Sequence, residues 1–371
     1  MIDFIPLELT KNLYLGISCF FLIIILLFWK QNVTNFDSSP RPHFLLTLFV
    51  FLHLVFAFDG GDFFHYYAYF IDKDFDAMEK IYSKIARLVG YNYLAFRAII
   101  WGGALFLFQQ TSKRFGLDLN KTTFLLYVMF IGVFDYARAS LAMSIYFYGL
   151  SFICIPNKRF PILSYIIAIG IIFTSILFHR SMAFTVAMTI MAFIPLNPYL
   201  LIIILIVFSM SSPLLKDFFY NYIMSGELII GGDLQDKVMS YSDLTFSNEF
   251  SIFEWIRRFL VYSTFILPVL LFTFKVFKKE DSDIIVTPIF KLYKVSIGIL
   301  LLSISILMIS SEAIVIFYRY LFMLMIPVVL MISYARKNGI ISHNLFKFFI
   351  YLCLTHEIFG MAKLLLGGNL S

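Results

Sequence analysis

Residues 161–178 read PILSYIIAIGIIFTSILF and end against His179-Arg180-Ser181. This uncharged stretch is close to the roughly 20 apolar residues that a helix needs to cross a bilayer core about 30 Å thick. The same kind of run recurs along the chain. Spans are predicted near 12–29, 44–58, 91–109, 122–134, 139–155, 161–178, 181–194, 198–213, 259–277, 292–311, 313–334 and 345–366. The expected fold is therefore an all-α polytopic integral membrane protein, 1–371 forming a single transmembrane domain of about twelve helices. Two longer stretches, 59–90 and 214–258, are expected as extracytoplasmic loops with amphipathic interfacial helices.

Composition supports this. Of 371 residues, 61% are hydrophobic and only 14% charged, with a mean hydropathy of +0.88. Ordinary soluble domains carry about 25% charged residues. A soluble enzyme, a disulfide scaffold and a disordered chain are excluded. The net charge of +6 does not make a nucleic-acid surface, because the basic residues lie in short clusters between apolar runs. Cys19, Cys154 and Cys353 sit inside apolar runs and read as small core residues. The first apolar run follows a leader containing Asp3 and Glu8, lacks a small-x-small cleavage site and closes at Phe28-Trp29-Lys30, so a retained helix is expected.

Lys and Arg in short loops favour the cytoplasm. Lys30 and Arg41, then Lys113, Arg114 and Lys121, then Lys158 and Arg159, then Lys275 to Lys294, then Arg336 and Lys337 all fall in odd-numbered loops. That side is expected inside, with both termini extracytoplasmic. The other side then collects Asp62, Asp135, Arg138, His179 and Arg180. In 71–89, Phe75, Met78, Ile81, Tyr82, Ile85, Leu88 and Val89 recur at three- and four-residue steps, with Asp72, Asp74, Asp76, Glu79, Lys80 and Lys84 between them. This predicts one amphipathic helix on the outer leaflet, its charges solvated.

Charges within spans are costly, about 2.5–3.5 kcal/mol each on insertion scales. Arg97 and Arg319 each lie about 9 Å below the outer boundary. Both either line a polar cavity or snorkel to the headgroups. Asp135 and Arg138 share a helix face, as a simple pair or as an anion site. His179 and Arg180 stand at a tight span junction, interfacial or functional. His53, and His356 with Glu357, read as makers of interhelical hydrogen bonds. Asp62 caps the following helix or takes part in chemistry; His65, Tyr66, Tyr67 and Tyr69 beside it suit a sugar or headgroup lining. Asp72-Lys-Asp74, Asp74-Phe-Asp76 and Asp281-Ser-Asp283 read as solvated charge rather than metal ligands.

Three blocks in order, Gly61-Asp62 with Tyr66-Tyr67, Arg138-Ala-Ser-Leu-Ala142, and Phe178-His179-Arg180-Ser181, resemble the EpsG family of Wzy-type polymerases for O-antigen, capsule and exopolysaccharide. Arg319 in Phe317-Tyr-Arg-Tyr320 resembles that family's late-span arginine. Ala139 departs from it, standing where Gln is common. The resemblance implies glycosyl transfer on the outer face of the bacterial inner membrane, joining repeat units carried on polyprenyl diphosphate. Membrane lipid and a chain-length regulator are the further partners implied. Arg138 and Arg319, with Arg97 and Arg180, would neutralise the diphosphate without metal or cofactor. His179 would be the base, with Asp62 or Asp135 the alternatives. An O-antigen ligase and a lipid-linked oligosaccharide flippase are the competing expectations.

Overall fold

The computed structural model describes residues 20, 22–29, 33, 43–56, 67–75, 78–130, 137–195, 252–277, 287–309 and 320–365. Among them all regular structure is helical, with no strand. The chain divides into two compact units, Met1–Ala187 with Ile326–Leu370, and Met188–Met325 with Ser371.

The first unit contains α1 (His43–Phe56), α2 (Lys80–Leu88), α3 (Tyr93–Arg114), α4 (Leu119–Phe130), α5 (Ala137–Cys154), α6 (Pro161–Phe178) and α7 (Met182–Ala187). Helix α6 has the bounds expected from its apolar run. It opens on Pro161, whose missing N–H costs nothing in a first turn. Only Ser164, Ala168, Ile172 and Ser175 are buried, a stripe at helical spacing. Large apolar side chains such as Ile162, Ile166, Phe173 and Leu177 face outward instead. A helix apolar on its exposed faces suits lipid rather than water.

The stripe packs on α5, whose Leu141, Ala142, Tyr146, Phe147 and Leu150 are all buried and which also packs on α3. Gly149 makes the α5–α6 approach possible. A Cβ there would lie 2.9 Å from Ile172 Cγ1 and 3.1 Å from Ile171 Cβ. Gly149→Leu is expected to destabilise the fold by about 1–3 kcal/mol through overpacking, read as a lowered unfolding midpoint in detergent.

Helices α2 and α3 meet at 118°. Gly90 at φ +61 and Tyr91 at φ +59 make the corner. Their N–H groups close the end of α2 by bonding Arg87 O and Ala86 O, a Schellman ending. Asn92 then accepts from Ala95 N–H at 3.0 Å and starts α3. Helix α2 thus lies across the first turns of α3, as a surface helix does.

The stretch 71–89 is not a single helix. A helical turn over 67–72 stops at Lys73, which takes φ +54, and the helix resumes only at Lys80. The break lets Phe75 fold back onto Phe70, with ring centroids 5.0 Å apart, and buries Met78. Burying Tyr82 and Ala86 rotates α2 so that Leu88 is 83% exposed rather than on an inward face.

The second unit contains a 3-10 segment (Met188–Ala192), α8 (Ile252–Phe277) and α9 (Pro288–Ile309). Helix α8 begins within the stretch expected to be loop, because its polar first turns continue the helix beyond the apolar run. Tyr293 donates to Thr273 Oγ1 at 2.8 Å across α8 and α9. Lys294 Nζ donates to Ile194 O at 2.9 Å. Helix α10 (Met325–Lys337) returns the chain to the first unit, where α11 (His343–Leu365) packs on α4.

Among the described residues, three helical stretches have the length and apolar character to cross a membrane: Pro161–Phe178, Pro288–Ser305 and Tyr320–Lys337. The bent α2–α3 pair makes a fourth if counted as one span. The expected span 198–213 and the loop up to 251 lie outside the described residues.

Candidate functional site

The two ends of the first unit differ in chemistry. At one end, helix-terminal cations hold loop carbonyls: Arg114 Nη2 donates to Ile155 O at 2.8 Å, and Lys337 Nζ to Gly116 O at 2.6 Å. The other end lies about 27 Å away, the length of α6 at about 1.5 Å per residue. There α2, the start of α5 and the α6–α7 junction converge on one carboxylate.

That carboxylate is Glu79, the residue before α2, held in extended conformation at φ −61, ψ 135. Arg138 Nη1, from the first turn of α5, donates to its Oε2 at 2.8 Å. His179 Nδ1 lies 3.3 Å from its Oε1, and the backbone N–H of Arg180 reaches the same oxygen at 3.4 Å. Glu79 is 11% exposed, and Arg138 and His179 are each 17% exposed. The group is mostly dry but still reachable. Burial pushes the Glu79 carboxyl up, but the hydrogen bond from His179 and the charges of Arg138 and His179 outweigh it and hold the carboxyl down at about 2. It is a carboxylate at every physiological pH.

Tyr82, one turn along α2, ties the pieces together. Its hydroxyl donates to Arg138 O at 3.3 Å, its ring lies 5.8 Å from the Arg138 guanidinium, and it meets Phe178 edge-on at 6.0 Å. His179 ends α6 in extended conformation with its N–H on Ser175 O. Met182 N–H then bonds His179 O and closes the turn into α7. This turn points the His179 ring at Glu79 and leaves the Arg180 side chain exposed.

A carboxylate on Nδ1 keeps the proton on that nitrogen, so the neutral ring presents the Nε2 lone pair. Beside it stand the partly exposed Arg138 and the exposed Arg180. The arrangement can accept a proton at Nε2 while holding an anionic group on guanidinium.

Of the residues singled out from sequence, Arg138, His179 and Arg180 are brought together. Arg97 is used differently from either expectation. It is 5% exposed, with Nε on Val55 O at 3.0 Å and Nη2 on Leu54 O at 2.7 Å. It donates to two carbonyls in the last described turn of α1 rather than reaching the headgroups. Tyr67 packs its ring against Tyr93 at 5.7 Å. His53 lies 3.1 Å from the Tyr127 hydroxyl, an interhelical hydrogen bond between α1 and α4. Asp72 and Asp74 are exposed. Asp62, His65, Tyr66, Asp135 and Arg319 lie outside the described residues, as do the side chains of His356 and Glu357.

Sequence reasoning missed Glu79, assigning it to a solvated face. A signal was present: Glu79, Tyr82 and Ala86 recur at three and four residues, so Glu79, one residue before α2, is in register with its buried stripe. No protein-family model, curated protein or solved structure matches the chain.

Proposed function

We propose that the protein is a Wzy-type polysaccharide polymerase, a membrane glycosyltransferase that joins oligosaccharide repeat units carried on polyprenyl diphosphate. One observation supports the reading above others: Glu79 gathers Arg138, His179 and Arg180. These residues come from two of the three blocks that resemble such polymerases.

In this reading the acceptor sugar hydroxyl attacks the anomeric carbon of the growing glycan. The new C–O bond forms as the bond to the lipid diphosphate breaks. His179 Nε2 takes the hydroxyl proton, and Glu79 stabilises the imidazolium that results. Arg138 and Arg180 balance the charge on the departing diphosphate. The family resemblance assigns Arg319 to the diphosphate as well. The chain crosses the bacterial inner membrane about twelve times, with both termini outside and the Glu79 end at the outer surface. The arginine and lysine at the opposite end of the first unit agree with a cytoplasmic position for that end.

The test is surface glycan length in cells carrying His179→Ala or Arg138→Ala as full-length chains. A polymerase predicts single repeat units exported and attached, with long chains missing. Loss of all surface glycan would replace the reading with a ligase or flippase. Full-length glycan in both variants would overturn it.

A further inference from the structure

A second feature lies at the opposite end of the first unit. A cleft of about 340 Å³ opens between the end of α3, the end of α5 and the start of α6, with Arg114, Phe152, Asn157, Phe160, Leu163 and Ile167 on its walls. Its floor is the Arg114 guanidinium, 3.7 Å from the centre of the Phe152 ring. Nη2 holds Ile155 O, whereas Nε is buried with no hydrogen-bond partner. The loop forming the rim is fixed, not loose. Asn157 N–H donates to Ser164 Oγ at 2.9 Å, and Arg159 N–H to Asn157 Oδ1 at 2.8 Å. Lys158 and Arg159 stand exposed on this rim, and no acid is among the described residues that line the cleft.

The remaining wall is apolar and open. Phe160, Leu163 and Ile167 are exposed and run along the outward face of α6. A guanidinium floor, two cations on the rim and an apolar wall continuing along a span match one molecule in parts: a phosphodiester and its acyl chains. We propose that this cleft binds the headgroup of an anionic glycerophospholipid of the surrounding bilayer, with the phosphate on Arg114 and an acyl chain along Leu163 and Ile167. Charge complementarity selects an anionic over a zwitterionic lipid. The inference rests on membrane insertion but not on glycosyl transfer.

The test uses the full-length protein in mild detergent, mixed with phosphatidylglycerol or phosphatidylcholine, with retained lipid measured by native mass spectrometry. Phosphatidylglycerol is expected to be retained in preference to phosphatidylcholine. Arg114→Gln should lower its retention about fivefold, the factor for losing one basic group near a charged bilayer surface. Leu163→Trp, at an exposed position, should lower it by filling the cleft, and decides the matter if Arg114→Gln does not fold. Lys84→Gln on α2, at the other end, should change nothing. Equal retention of the two lipids, wild-type retention in Leu163→Trp, or full displacement by millimolar inorganic phosphate would each overturn the proposal; the last would indicate a free-anion site.

Discussion

Glu79→Gln is expected to slow glycan extension by about a hundredfold or more and to destabilise the protein by about 3 kcal/mol. The rate effect follows from the position of the carboxylate behind His179 Nδ1. An amide of the same shape still accepts a hydrogen bond but brings no charge to stabilise an imidazolium, and it removes the Glu79 charge from the mostly buried Arg138. The stability effect follows from the carboxyl's descent from an ordinary 4.5 to about 2. Because the folded value is the lower, this stability is fully present above pH about 4.5 and lost as pH falls toward about 2. The Glu79 contribution to the gap between wild type and Glu79→Gln in unfolding free energy should therefore narrow as pH falls from about 4.5 toward about 2. Kinetically, Glu79→Gln combined with His179→Ala should be no slower than His179→Ala alone, since the two residues act as a unit. If the rates multiply instead, Glu79 does not work through His179.

Arg97→Leu should cost about 2–6 kcal/mol with no change in the reaction beyond the loss of folded protein. Arg97 satisfies the carbonyls of Leu54 and Val55 at the end of α1. Leucine fills much of the space but removes the guanidinium donors from two buried carbonyls, at about 1–3 kcal/mol each. Arg97→Lys keeps one donor group and should recover part of the loss. Denaturant unfolding of the purified variants checks this. A midpoint equal to wild type for Arg97→Leu would remove its structural role on these carbonyls.

These two residues mark what the sequence could convey. The apolar run of α6 is legible to the residue, because a long stretch without charge has one structural solution in lipid. Arg138 and His179 stand out for the same reason, as scarce polar groups at span ends. The partners of Arg97 and Glu79 are not legible. Arg97 bonds residues 42 and 43 positions away, and Glu79 bonds residues 59 and 100 positions away. Periodicity reports only which local face a residue shares. In 71–89 it also misled, since a helical pattern continued through Lys73, where packing of Phe75 on Phe70 turned the chain instead.

The separation of Glu79 from its partners also fixes when the protein can become competent during synthesis. Glu79 emerges from the ribosome first, then waits 59 residues for Arg138 and 100 for His179. Until α6 has turned back at His179, the Glu79 carboxylate has its arginine but not the His179 imidazole. Under the proposed function, a chain stalled or clipped before that junction would be inert toward lipid-linked sugar. Under that proposal, the onset of activity would wait on the same late event as the completion of the α6 turn.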